Sequence, residues 1–157
     1  MKDYTEYILE QAQKLLSIDS PSGYTRNVTD WLLETYSEMG YQPQRTTKGG
    51  VLVQISEGTK AVTDPSEGPI LLTGHVDTLG AMVSSITDRG TLKLTPLGGM
   101  NPNNAETENC RIITREGKTY TGTFQLCNAS IHVNGDYNDT KRTYKDMEVL
   151  LDELVST

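Results

Sequence analysis

The residues with the clearest potential for chemistry are His75 and Asp77, which stand two positions apart in the chain. Residues 69–73 form a continuous apolar run that predicts a strand covered on both faces. Such a strand would deliver His75 at its carboxyl end, where open α/β sheets place their ligand sites. A metal-binding histidine commonly needs a carboxylate on its other ring nitrogen, and Asp77 is spaced to supply one. The same pattern also fits a histidine that only makes ordinary hydrogen bonds at a loop entrance.

The remaining histidine and the two cysteines suit structural roles better than chemical ones. His132 lies in residues 129–133, whose alternating pattern predicts a strand, and nothing around it suggests a metal ligand. Cys110 and Cys127 are too few for a disulfide framework and too far apart for a CxxC pair. We expect both to be small core residues. Reduced thiols of this kind favour the cytoplasm.

Acidic side chains cluster near the end of the sequence, at Asp146, Glu148, Asp152 and Glu153. Glycoside hydrolysis uses two carboxylates opposed across a sugar, and nothing in this spacing sets up such an opposition. A solvated strand face explains these four residues better.

Composition excludes several classes of function. The chain has 157 residues and a formal net charge of −7, with 21 acidic against 14 basic residues. This balance repels nucleic acid, and no cluster of Lys and Arg provides a local exception. No segment approaches the roughly 18 consecutive apolar residues of a membrane-spanning helix. The first residues lack the apolar stretch of a secretory signal, so we expect a cytoplasmic protein without membrane contact.

The first half of the sequence predicts an α/β layer. Apolar residues at helical spacing indicate a helix over about residues 3–17, with Asp3 and Glu6 as a capping box. A second helix follows and ends at Gly40. After it, residues 51–55 predict a short strand, residues 57–68 a polar surface loop and residues 69–73 the covered strand.

From Gly80 onward the pattern changes to many short strands, which are typical of a small barrel or sandwich. Residues 81–95 predict a hairpin that turns at residues 88–90. Further strands are expected at residues 110–114, 120–126 and 129–133. Periodicity alone favours a helix over residues 147–152, although the same run also fits a strand.

Four stretches together indicate a family. The sequence reads Ser-Pro-Ser-Gly-Tyr at residues 20–24, Gly-His-Val-Asp-Thr-Leu-Gly-Ala-Met-Val at residues 74–83, Glu-Asn-Cys at residues 108–110 and Met-Glu-Val-Leu-Leu-Asp-Glu at residues 147–153. In this order they resemble motifs of the TET-type metalloaminopeptidases, a glutamyl aminopeptidase-like family of di-zinc peptidases also labelled cellulases or endoglucanases. Val76 and Thr78 differ from the family's common Met and Glu, which leaves the His-x-Asp core intact.

The resemblance implies a specific fold and site. Residues 1–79 would be the N-terminal part of a zinc-peptidase α/β sandwich. Residues 80–157 would be an inserted, incomplete β-barrel of PDZ-like type, in which residues 147–152 form a strand. His75 would be a ligand of one of two divalent metal ions, zinc or cobalt, and Asp77 the catalytic-site acid that orients it.

The other catalytic and metal residues of the family would lie beyond Thr157. The resemblance therefore implies a peptide substrate, a homo-oligomer and a missing C-terminal half as partners. We expect this chain alone to be inactive and to bind metal weakly at most. Two alternatives stay open: a non-catalytic truncated or split-gene module that acts in folding or assembly, and an independent small binding domain whose His-x-Asp is accidental.

Overall fold

The chain folds as two compact units, Met1–Thr78 and Leu79–Thr157. The computed structural model describes residues 3–55 and 71–153. The predicted loop at residues 57–68 lies outside the described residues. Whether the two units correspond to a catalytic domain and an inserted domain stays a prediction.

Unit 1 begins with two helices, α1 at Thr5–Leu16 and α2 at Arg26–Glu38. Both confirm the helical spacing of the sequence, and Gly40 ends the second helix with a φ of 89°. The predicted capping box is wrong. The Asp3 carboxylate instead accepts hydrogen bonds from the backbone N–H and the hydroxyl of Thr5, at 2.9 and 2.6 Å. Those two donors are nearer to Asp3 than the third helical position that a capping box requires.

A two-stranded antiparallel hairpin follows α2. It consists of β1 at Gln44–Arg45 and β2 at Val51–Leu52, so the strand predicted over residues 51–55 is shorter than expected. Thr29 of α2 is buried and donates its hydroxyl to the carbonyl of Gly49 at 2.6 Å. This bond joins the helix to the turn of the hairpin.

The covered strand predicted for residues 69–73 is wrong in its described part. Residues 71–77 have no regular secondary structure, and Leu71 and Leu72 are 73% and 82% exposed. An apolar run adopts a buried strand only where neighbouring strands and helices cover it. Within residues 3–55 and 71–78, the β-pairing available to this stretch is one parallel bridge between Pro21 and Thr78.

Unit 2 is built on one five-stranded antiparallel sheet in the order β3-β4-β7-β6-β5. Its strands are β3 at Gly80–Ile86, β4 at Leu92–Leu97, β5 at Asn109–Ile113, β6 at Thr119–Leu126 and β7 at Met147–Leu151. The predicted hairpin is confirmed as β3 and β4, and Gly90 takes a φ of 79° in its turn. The strand that the resemblance implied for residues 147–152 is confirmed, and the helix favoured by periodicity is wrong.

The core of unit 2 lies on one face of this sheet. Its buried members are Leu92, Phe124, Leu126, Met147 and Val149. Along β6 the even-numbered positions are less exposed than their odd-numbered neighbours, as the two-residue period of a strand dictates, and they are buried from Gly122 onward. Cys110 packs against this cluster, as expected for a small core residue.

The strand predicted over residues 129–133 is wrong. Residues 131–133 form a turn, and Ile131 and Val133 are exposed. The backbone bonds locally instead, because the N–H groups of Val133 and Asn134 donate to the Ser130 carbonyl at 3.1 and 2.8 Å. The sheet is curled, but its order ends in β3 and β5, so a closed PDZ-like barrel stays a prediction. No helix in the described ranges is long and apolar enough to cross a membrane.

Candidate functional site

The turn between the two helices of unit 1 lies directly against residues 76–78. The Ser20 hydroxyl donates to the carbonyl of Val76 at 2.8 Å, and the Thr78 N–H donates to the Ser20 carbonyl at 2.9 Å. Ser20 is fully buried, and its own N–H lies 3.3 Å from the Thr78 hydroxyl. These bonds fix the backbone on both sides of Asp77 even though no sheet contains it.

His75 and Asp77 are brought together at this place. The Nδ1 atom of His75 lies 3.1 Å from Oδ1 of Asp77 and 3.2 Å from the Asp77 carbonyl oxygen. The imidazole is 87% exposed. When neutral, a ring that donates its Nδ1 proton to the carboxylate keeps the Nε2 lone pair for another partner. This is the arrangement that a metal-binding histidine requires, while the roles of the two residues stay predictions.

Asp77 has a second partner that the sequence did not suggest. The Ser22 hydroxyl donates to the other carboxylate oxygen, Oδ2, at 2.6 Å. The hydrogen bond from Ser22, followed by that from His75, lowers the pKa of the Asp77 carboxyl below its ordinary range. The carboxylate therefore stays ionised at neutral pH and acts as an acceptor toward both neighbours.

Whether a metal ion fits beside His75 depends on how many ligand side chains surround it. A catalytic zinc site uses about three protein ligands and one open position. Among residues 3–55 and 71–153, no group of three or more His, Cys, Asp and Glu side chains could hold a metal ion. His75 thus fits one position of a coordination sphere, and the described part of the chain does not complete the rest.

The other candidate residues lie in unit 2. His132 is exposed in the turn at residues 131–133 and takes no part in a ligand group. Cys110 and Cys127 are both free thiols. Burial raises the pKa of the Cys110 thiol. The Lys93 ammonium lies 2.7 Å from the Cys127 sulfur and also donates to the Lys145 and Met147 carbonyls.

The acidic residues near the end are not uniformly solvated, which corrects one expectation. The side chain of Glu148 is only 3% exposed, because β7 lies in the centre of the sheet. Its carboxylate accepts two hydrogen bonds from the Arg89 guanidinium, at 2.8 and 2.9 Å, and one from the Thr91 hydroxyl at 2.9 Å. This satisfied ion pair has a structural role. Asp152 and Glu153 are exposed, as expected.

Solved structures of known proteins share this fold. A TET aminopeptidase from Thaumarchaeota archaeon SCGC AB-539-E09 aligns with 96% of this chain and 39% of its own, with a TM-score of 0.75 at 23% identity. An aminopeptidase from Desulfurococcus kamchatkensis aligns with 96% of this chain and 38% of its own, with a TM-score of 0.74 at 24% identity. The fold is therefore that of the N-terminal part of a TET aminopeptidase.

Sequence comparison is more specific. Residues 57–157 match the model of the M42 glutamyl aminopeptidase family, and the chain belongs to that family. The protein YhfE of Bacillus subtilis is 39% identical over 147 residues, which are 94% of this chain and 41% of the relative. A glutamyl aminopeptidase of Lactococcus lactis is 35% identical over 71% of this chain and 30% of the relative. The chain thus spans about two-fifths or less of these relatives.

Proposed function

We propose that this chain supplies the His-x-Asp part of a two-metal aminopeptidase, and that the remaining ligands come from polypeptide outside it. Membership of the M42 family supports peptide hydrolysis as the reaction class. The single observation that carries the site is the contact between His75 Nδ1 and Asp77, which leaves Nε2 exposed. The substrate would be a short peptide with a free N-terminal amine.

Each residue has a defined task in this proposal. His75 would hold one of two divalent ions, zinc or cobalt, and Asp77 would keep the ring in the required tautomer. When bound, such ions polarise a peptide carbonyl and lower the pKa of a water molecule. The general base and the other metal ligands would be carboxylates and a histidine outside this chain. Alone, the chain should therefore bind metal weakly and hydrolyse nothing.

The exposed apolar surface of unit 1 supports a missing partner. Leu71 and Leu72 are largely exposed, as are Ile8, Leu9 and Leu16 of α1, which has no buried residue. We propose that these residues form one apolar patch, and exposed patches of this kind usually mark an interface. Because the chain spans about two-fifths of an M42 relative, the occupant we propose is the rest of the catalytic domain. Without that occupant, self-association should bury the same surface.

Metal titration of the chain alone is the first test. Zinc or cobalt added to the wild type should bind weakly in calorimetry. His75→Ala should remove that binding, whereas His132→Ala, the matched control, should leave it unchanged. Tight, stoichiometric binding by the wild type would contradict a shared site. Equal binding by both variants and the wild type would contradict the role of His75.

Reconstitution is the second test. Mixing this chain with the complementary part of an M42 aminopeptidase and cobalt should restore cleavage of aminoacyl p-nitroanilides, and His75→Ala should abolish it. In light scattering, Leu71→Ser with Leu72→Ser should lower the self-association of the chain alone. A wild-type chain that stays monomeric would contradict the proposed interface.

A second candidate function is a non-catalytic module for folding or assembly. It is favoured by the lack of a three-ligand group in residues 3–55 and 71–153 and by the exposed leucines. A solved protein of the same fold, the TET1 peptidase of Pyrococcus horikoshii, can assemble into a tetrahedron or a large octahedral shell. A soluble, stable complex with the complementary part that never gains activity would favour this module.

We propose the cytoplasm as the compartment, because both thiols are free.

A further inference from the structure

We propose that Ser22 is a positioning residue for His75, acting through the carboxylate of Asp77. The inference rests on the proposed function, because it assigns Ser22 to the support of the same metal-binding imidazole. It makes the turn at residues 20–23, and not only the His-x-Asp pair, part of the functional site.

The geometry assigns one partner to each oxygen of the Asp77 carboxylate. Oδ2 accepts the Ser22 hydroxyl at 2.6 Å, while Oδ1 lies 3.1 Å from Nδ1 of His75. A carboxylate held at one oxygen can still rotate about its side-chain bonds, whereas one held at both oxygens has a defined plane. The bonds at Val76 and Thr78 hold the backbone beside Asp77 but do not restrict the rotation of its side chain. The Ser22 bond therefore carries much of the orientation of Asp77.

Ser22 is itself placed by bonds that do not involve Asp77. The buried Ser20 ties the turn to the carbonyl of Val76 and the N–H of Thr78, and the Tyr24 N–H closes the turn on the Pro21 carbonyl at 2.7 Å. Gly23 supports this shape with a φ of 87°, which other residues rarely adopt. A serine at position 22 thus arrives beside Asp77 on a fixed backbone, as a supporting residue of a metal ligand should.

The consequence is a preference between the two neutral forms of the imidazole. With Ser22 in place, Asp77 Oδ1 is fixed to accept the Nδ1 proton, which leaves Nε2 unprotonated and available. Loss of the hydroxyl lets the carboxylate rotate, so Oδ1 is no longer held opposite Nδ1 and the other tautomer can compete. Supporting residues of this kind typically change metal affinity by about 10- to 100-fold.

Nitrogen NMR of the whole chain tests the inference directly. The chain has two histidines, so a long-range ¹H–¹⁵N spectrum shows two imidazoles, and it is recorded at a pH above which their nitrogen shifts no longer change. In the wild type we expect His75 to show a protonated Nδ1 and an unprotonated Nε2. Ser22→Ala should shift both nitrogens of His75 toward the other tautomer, while the exposed His132 stays unchanged.

Two variants separate positioning from a general structural effect. Ser22→Thr keeps a hydroxyl and should restore the wild-type nitrogen shifts. Ser17→Ala removes a serine hydroxyl that bonds only locally, to the Lys14 carbonyl at 2.7 Å, and should change nothing at His75. Circular dichroism establishes that each variant is folded. Unchanged His75 shifts in Ser22→Ala, or no rescue by Ser22→Thr, would overturn the inference.

Metal binding distinguishes this inference from the proposed function. In the reconstituted complex, Ser22→Ala should weaken cobalt binding by about 10-fold or more, and Ser22→Thr should recover it. A tautomer shift without any metal binding by the complex would uphold the positioning role and overturn the peptidase site. If metal binding is lost in His75→Ala but is unchanged in Ser22→Ala, and the nitrogen shifts are also unchanged in Ser22→Ala, the peptidase site would be upheld and the positioning role overturned.

Discussion

Gly122 offers the sharpest test of the sheet in unit 2. It lies in β6, directly beside β7, where its partner in the ladder is Leu151. A Cβ added at this position would stand 2.6 Å from the carbonyl oxygen of Leu150 and 2.8 Å from a methyl carbon of Val149. The first of these atoms belongs to the backbone of the central strand and cannot move aside without distorting the ladder. We therefore expect Gly122→Ala to destabilise unit 2.

The size of the effect follows from three contributions. Overpacking of a well-packed interior typically costs about 1–3 kcal/mol. Weakening one interstrand hydrogen bond adds roughly 0.5–1.5 kcal/mol. Replacing glycine lowers the entropy of the unfolded chain and returns about 0.4–1 kcal/mol. The net loss should be about 2–3 kcal/mol in the free energy of unfolding, which corresponds to a melting temperature lower by roughly 10 °C or more for a unit of this size.

Urea denaturation followed with two probes distinguishes the unfolding of unit 2 from that of unit 1. Both cysteines lie in unit 2, so the reaction of their thiols with a chromogenic disulfide follows its unfolding. The chain's one tryptophan, Trp31, lies in α2 and reports on unit 1. Gly122→Ala should shift the thiol transition to lower urea and leave the fluorescence transition in place.

Gly99→Ala is the matched control, because its added Cβ would meet no atom within 4 Å. Its stability should stay within about 0.5 kcal/mol of the wild type, as for most surface changes. The reasoning is refuted if Gly122→Ala unfolds at the same urea concentration as Gly99→Ala.

Two further predictions concern ionisable groups of unit 2. Arg89→Met should cost about 2 kcal/mol in urea denaturation, because it leaves the buried Glu148 carboxylate without its counter-charge. The same substitution made in a Glu148→Gln protein should cost less, and equal costs in the two backgrounds would contradict the ion pair. In Cys127→Ser, alkylation of Cys110 by iodoacetamide should have its midpoint above the ordinary thiol value of about 8.5, because burial and the Asp152 carboxylate raise the pKa of Cys110. Since the pKa of Cys110 is higher in the folded protein, the contribution of its neutral thiol to stability is present below pH 8.5 and is lost as the pH rises further. An alkylation midpoint in the folded protein equal to the midpoint in urea would contradict the raised pKa.

Local patterns predicted the elements that depend on neighbouring residues. The hairpin of β3 and β4 follows from an alternating run and a turn at residues 88–90, and both helices follow from their apolar spacing. The strand β7 is different, since Met147, Leu150 and Leu151 also fit a helical stripe. There the resemblance to a family decided correctly, because it carries information about which strands lie on either side.

Predictions failed where the outcome depends on distant parts of the chain. Residues 129–133 alternate like a strand, but no strand in the described part of unit 2 pairs with them, and the Val133 N–H closes a local turn on the Ser130 carbonyl. Residues 71–73 are as apolar as a buried strand, yet nothing in the described part of unit 1 covers them. Pattern alone does not reveal which neighbours are present.

In the candidate site, too, the sequence predicted the contact between near neighbours and missed the one between distant residues. Its His75–Asp77 pair could be recognised from a spacing of two residues and a nearby apolar run. The contact between Ser22 and Asp77 could not, because 55 positions separate the two residues. One signal was available: the turn at residues 20–23 carries two hydroxyl side chains that neither flanking helix requires.

The place of β7 in the sheet has a consequence for biosynthesis. The two hairpins, β3 with β4 and β5 with β6, can each form as soon as both of their strands have been synthesised. Isolated hairpins, however, are only marginally stable in water. β7 joins them, and it follows β4 by about fifty positions in the chain. Unit 2 therefore cannot close while a ribosome still holds residue 151 in its exit tunnel. Until then both half-sheets have unpaired strand edges that can associate with other nascent chains. A chaperone that covers these edges at that stage should raise the yield of folded protein.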